Sequence, residues 1–306
     1  CVLQGSTALV LAFLLVACDS SSDTDAPSFP DGPLPTVYTN GRTWTYDYTL
    51  ERDAPGSEND TVITATLRLR VRQTDAAVGG RTGLAMVETL NLSSSPVDTS
   101  RLWYAQTADS LVEVAYQSPR TPVASFSRPD RLARAFSEGA FSENLLSGPP
   151  SLSGAPSYLL QRRIAQARLE AAPQAASQAA SQAASQTAEQ AANDPVTVRD
   201  DPRVALVAPL KEGASWVAFA DPFRQVRTVG TQQQVTTEAG RFETVSIVAT
   251  LPEWGPRFRL TDFLSRDGLV RRVVADTAEA RNPDGSIAGE AVFRETFDLV
   301  AFEDPS

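Results

Sequence analysis

Residues 44–51 read Trp-Thr-Tyr-Asp-Tyr-Thr-Leu-Glu, an alternation of large apolar and polar side chains. Successive side chains of an extended strand point to opposite faces, so this pattern builds a strand with Trp44, Tyr46, Tyr48 and Leu50 on one buried face. Leu67, Leu69 and Val71 alternate with Arg68, Arg70 and Arg72 in the same way. A chain that opens on two such runs is committed to an antiparallel sheet with one wet face.

The pattern recurs. Gly79-Gly80 marks a turn, and a strand follows over 84–92. Residues 101–106 and 111–117 predict a hairpin around Thr107-Ala108-Asp109. Strands resume at Val204, with Trp216 and Ala218, then residues 224–237. After an Ala239-Gly240 turn, Val245, Ile247, Ala249 and Leu251 alternate with polar neighbours. Residues 258–264 and 269–275 predict a hairpin across Arg266-Asp267-Gly268, and 291–303 close the chain, with Phe293, Phe297 and Leu299 on one face after an Asn282-Pro283-Asp284-Gly285 turn.

Between the two strand regions the character changes, predicting an insertion over 118–202. Residues 129–146 and 158–172 have helical spacing, and 174–192 are a Gln-Ala-Ala-Ser tract with no large apolar face. The tract is read as a solvated helix or a disordered piece, because its unit is too short for a structural repeat. The predicted fold class is therefore mainly β (α+β): a curved antiparallel sheet or half-barrel over 36–306, with a helical and low-complexity insertion.

The two strand regions echo each other. Gly41-Arg42-Thr43-Trp44 matches Gly213-Ala214-Ser215-Trp216, Gly80-Arg81 matches Gly240-Arg241, and Asp109-Ser110-Leu111-Val112 matches Asp267-Gly268-Leu269-Val270. Either a duplication or the general likeness of antiparallel meanders accounts for this.

The N-terminus carries an address. Residues 8–17 are almost wholly apolar and end in Leu15-Val16-Ala17-Cys18. A run of about ten residues is too short to span a bilayer and has the length of a signal-peptide core. Leu15 to Cys18 resembles the lipobox of bacterial lipoproteins. The resemblance implies a signal peptide over 1–17, cleavage before Cys18, and diacylglycerol on the Cys18 thiol. Such leaders normally open with Met and a basic residue, and this sequence opens with Cys1, so the first codons are read as missing. Residues 18–35, rich in Ser, Asp and Pro, read as a disordered tether. The implied location is the cell envelope, lipid-anchored, with the outer membrane facing the periplasm first and the inner membrane or cell surface as alternatives.

Leu210-Lys211-Glu212-Gly213-Ala214-Ser215-Trp216, then Thr237-Glu238-Ala239-Gly240-Arg241-Phe242-Glu243-Thr244, then Asp267-Gly268-Leu269-Val270 resemble a pattern of uncharacterised bacterial envelope proteins. Those are similar in shape to the outer-membrane lipoprotein carriers, in which a curved sheet wraps a helical lid around an apolar groove. The resemblance implies the fold and says little of activity.

Composition narrows the chemistry. The chain has no histidine, which excludes Ser-His-Asp and Cys-His catalysis and imidazole metal sites. Its two cysteines are Cys1, in the leader, and Cys18, so neither is left for a disulfide. A formal charge of −10 argues against nucleic-acid binding. Lys211 is the only lysine, and no serine stands three residues before it, so Ser-Lys catalysis has no motif here. No cofactor fingerprint and no metal spacing are present.

The expected partners are the membrane through Cys18, and a hydrophobic small molecule or an envelope protein bound without catalysis, or an assembly role within an envelope complex. Trp254, in the loop Pro252-Glu253-Trp254-Gly255-Pro256, and Trp103 are the candidate contact residues. The alternative is a hydrolase of envelope polymers using a carboxylate pair such as Glu253 and Asp262.

Overall fold

In the computed structural model the structure describes residues 30–35, 37–53, 63–93, 97–117, 196–220, 223–281 and 286–305. Cys18, both helical candidates, the Gln-Ala-Ala-Ser tract and the Asn282–Gly285 turn lie outside the described residues. Among the described residues are twelve strands: β1 (Thr43–Asp53), β2 (Ile63–Val78), β3 (Arg81–Asn91), β4 (Asp98–Gln106), β5 (Ser110–Gln117), β6 (Thr197–Val207), β7 (Ser215–Phe219), β8 (Gln225–Thr237), β9 (Gly240–Thr250), β10 (Phe258–Ser265), β11 (Gly268–Arg281) and β12 (Ile287–Glu303).

All twelve belong to one antiparallel sheet with the order β6-β5-β4-β3-β2-β1-β12-β11-β10-β9-β8-β7. That order is the chain order read in a circle, cut between β6 and β7. The curved sheet expected from the alternation is present, and it continues round into a nearly closed up-and-down barrel. Both strand regions share it, so they form a single architecture.

The circle is made of two six-stranded meanders, β1–β6 and β7–β12, joined where β1 pairs with β12. Each sequence echo occupies the same place in its own meander. Trp44 stands on β1 and Trp216 on β7; Gly80-Arg81 turns β2 into β3 and Gly240-Arg241 turns β8 into β9; the third pair turns β4 into β5 and β10 into β11. The topology is internally repeated.

The alternation sorts side chains as expected. Trp44, Tyr46, Tyr48 and Leu50 are buried, as are Leu67, Leu69 and Val71, and so are Val245, Ile247, Ala249 and Leu251. One apolar cluster draws on every strand and fills the interior. Twelve strands enclose more space than eight. Large side chains take it up: Trp44, Tyr46, Tyr48, Tyr104, Phe258 and Phe297, together with Arg227 and Arg272.

The strand after the insertion begins earlier than the sequence suggests. The sheet takes in residues 197–202, which the reading over 118–202 assigns to the insertion. Arg199, Asp200, Asp201 and Pro202 conceal the strand, because charge and proline are the usual dress of a sheet edge.

The two barrel ends differ. At one, tight turns join β2–β3, β4–β5, β8–β9 and β10–β11. At the other, β1, β3, β5, β7, β9 and β11 end and β2, β4, β6, β8, β10 and β12 begin. Residues 30–42 close the tight-turn end as a strap. Leu34 N–H donates to the Ala108 carbonyl at 2.9 Å, Leu210 N–H to the Pro30 carbonyl at 3.1 Å, and Gln106 Nε2 to the Pro35 carbonyl at 2.8 Å. Leu34, Val37 and Tyr38 are buried, and the Tyr38 ring stacks on Tyr104 at 4.9 Å.

Candidate functional site

Asp262 shares a strand face with Phe258, Leu260 and Leu264, so the period of β10 carries its carboxylate into the barrel. Arg272 on β11 stands opposite it in register. Arg272 donates from Nε to Asp262 Oδ1 at 2.5 Å and from Nη2 to Oδ2 at 2.8 Å. Both side chains are 0 % exposed. Burial works against the Arg272 charge, but the Asp262 carboxylate and its hydrogen bonds outweigh that and hold the guanidinium pKa above its ordinary value.

Arg227 reaches the same carboxylate from β8, with Nη1 at 3.9 Å from Asp262 Oδ2. It donates from Nη1 to the Ala205 carbonyl of β6 at 3.0 Å and from Nε to Gln225 Oε1 at 3.4 Å. Burial lowers its pKa to about 10, the Asp262 charge only partly opposing. Arg227 Nη2, Gln225 Nε2 and Glu113 Oε2 are buried without a hydrogen-bond partner among the described residues. Glu113 Oε1 takes its hydrogen bond from Arg199 Nε at 2.7 Å. The Tyr46 hydroxyl donates to the Leu269 carbonyl at 2.8 Å, and burial, with Asp262 adding, pushes its pKa far up despite the pull of Arg272.

This cluster is not built for acid–base work. Both Asp262 oxygens are taken by Arg272, and no solvent reaches them. Glu253, the other member of the candidate hydrolase pair, is exposed on the rim and accepts from the Arg224 N–H at 3.3 Å. One carboxylate is sealed inside and the other is outside, so the structure does not bring them together as a catalytic pair. Among the described residues no three side chains gather as a metal site.

Trp254 and Trp103 fall in different places. Trp254 lies in a 3₁₀ turn, Pro252–Arg257, at the end opposite the strap. It is half-buried, and its ring packs on Phe223 at 5.1 Å, with Phe219 behind at 5.5 Å from Phe223. Trp103 is 6 % exposed in a small cluster with Ala76, Leu84, Val114 and Ala115, separate from the barrel core. Trp44 and Trp216 are tied by their indoles: Trp44 Nε1 donates to the Asp267 carbonyl at 2.9 Å and Trp216 Nε1 to the Val204 carbonyl at 3.1 Å.

The sheet's concave side offers little empty space at the strap. The apolar cavity there, lined by Leu34, Val37, Leu111, Leu206, Leu210 and Leu264, has room of about 10 Å³ for water-sized molecules. That is about one water, far below the roughly 300 Å³ at which small-molecule pockets begin. An open depression of about 290 Å³ on the outside of β1 and β2 is lined by Asp47, Thr49, Thr64, Thr66 and Ser93, as on any wet strand face. At the end opposite the strap, by contrast, Leu92, Val97, Ile287 and Val292 are exposed.

No protein-family model matches the sequence, and no curated protein matches it. Two solved structures align over 89 % of this chain and 100 % of their own. One, from Bacteroides fragilis, is provisionally described as an exported protein with a YmcC-like fold (10 % identity, TM-score 0.34). The other, from Parabacteroides distasonis, is provisionally described as a lipoprotein (8 % identity, TM-score 0.32). Likeness at this distance carries no argument about family or activity.

Proposed function

We propose that the chain is a lipid-anchored protein of the bacterial cell envelope whose barrel binds a partner protein without catalysis. The observation that carries this reading is the position of the strap. Pro30 follows Cys18 by twelve residues in the chain, a reach of at most about 40 Å at roughly 3.3–3.6 Å per residue. The strap is built into the tight-turn end of the barrel. An anchor at Cys18 therefore holds that end toward the membrane and presents the opposite end to the periplasm. There lie the half-buried Trp254 and the exposed Val97 and Ile287, at 49 % and 60 % exposure.

A partner protein is preferred to a small apolar ligand because the cavity at the strap admits about one water, while apolar side chains are exposed at the far end. The carboxylate hydrolase loses its motivation with Asp262 sealed by Arg272.

The test is site-specific photocrosslinking in the native envelope, with a photoreactive residue at Val97, Ile287 or Trp254, and at Glu212 on the strap end as control. The expected result is one adduct of common mass from the first three and none from Glu212. Adducts that are equally frequent at all four, or absent from the first three, contradict the reading.

A further inference from the structure

The barrel has two places where one meander meets the other, and they are closed by different means. At β1–β12 all eleven residues of β1 have a register partner on β12, with one register shift between Thr45 and Tyr46. At β6–β7, the equivalent junction, the two strands are the ends of the sheet order. β7 is only five residues long. The ladder between β5 and β6 also shifts register between Leu111 and Val112, whose partners are Leu206 and Val204, leaving Ala205 unpaired as a bulge.

Side chains bridge this seam. Trp216 Nε1 on β7 donates to the Val204 carbonyl, and Arg227 Nη1 reaches past β7 from β8 to the Ala205 carbonyl. The Arg203 guanidinium of β6 lies 4.7 Å over the Phe219 ring of β7. Behind the seam stand Arg227 Nη2 and Gln225 Nε2, two buried donors without a hydrogen-bond partner among the described residues.

We propose that the β6–β7 seam is a lateral gate of the barrel, latched by Arg227, Trp216 and Arg203, which opens by local separation while β1–β12 stays closed. Opening gives the donors behind it a route to solvent. A ladder that runs the length of a strand opens cooperatively, whereas a few side-chain latches open one at a time, which places the seam at the low-stability end of the fold.

The two indole N–H groups each donate to a main-chain carbonyl of the other meander, Trp216 to Val204 on β6 and Trp44 to Asp267 in the β10–β11 turn, so each spans one junction and gives its own NMR signal. In the full folded chain, solvent exchange of the Trp216 indole proton is expected to be at least about tenfold faster than that of Trp44. Arg227→Met, which removes one latch, should speed Trp216 exchange a further 5- to 30-fold or so and leave Trp44 unchanged. If that variant does not fold, Arg203→Leu is read the same way. Unchanged Trp216 exchange, or equal acceleration of both indoles, overturns the gate.

Discussion

Arg272 grips Asp262 with two hydrogen bonds across neighbouring strands, in the middle of a barrel wall where neither side chain meets water. Arg227 shares the same carboxylate from two strands away. A buried pair of this kind contributes little net stability, but breaking it strands a charge. Arg272→Met is therefore expected to lower unfolding stability by about 3–5 kcal/mol. Replacing Arg227, Asp262 and Arg272 together with Met, Leu and Met should recover most of that loss. Urea titration measures both, and a triple variant as unstable as the single one contradicts the assignment.

Alkali should act through the buried phenols. Burial first, and then Tyr104, push the Tyr38 pKa well up, and burial does the same to Tyr46. A group whose folded pKa exceeds its unfolded value of about 10 lends its stability fully below pH 10 and loses it as the pH rises further. Arg227 works the other way: its folded pKa of about 10 lies below its ordinary value, so it adds stability between the two. Two tyrosines against one arginine leave a net loss of stability as the pH rises above 10. Stability measured from pH 8 to 11.5 should fall above pH 10, and Tyr38→Phe with Tyr46→Phe should flatten that fall. An unchanged slope in the double variant contradicts it.

The strands were legible because period-two alternation is a local property. The run from Trp44 to Leu50 states its own buried face, and so does the run from Leu67 to Val71. The ion cluster is non-local, since Asp262 acquires meaning only from the strand that lies beside it. A signal for it was present. Asp262 continues the parity of Phe258 and Leu260, Arg272 that of Val274, and Arg227 that of Val229. A charge at an inward position of an apolar face needs an opposite charge across the ladder. The start of β6 was hidden because its charges and Pro202 imitate a loop, and the barrel's closure was hidden because pairing of β1 with β12 joins the two ends of the sequence.

The two candidate tryptophans should separate on mutation. Trp103→Ala removes a buried ring from a tight cluster and is expected to cost about 3–5 kcal/mol. Trp254→Ala removes a half-buried ring at the rim, with an expected cost of about 1–2 kcal/mol. Thermal unfolding followed by circular dichroism checks the order, and a larger loss for Trp254 contradicts the placement of both.

Cys18 is the residue on which the proposed orientation rests, because a lipid there would make the strap end the membrane end. Intact mass measurement of the protein purified with detergent from membranes of a bacterial host tests it directly. The predicted result is a chain that begins at Cys18 and carries the mass of a diacylglycerol, with or without a third acyl chain. A chain that retains residues 1–17, or one that begins at an unmodified Cys18, contradicts it.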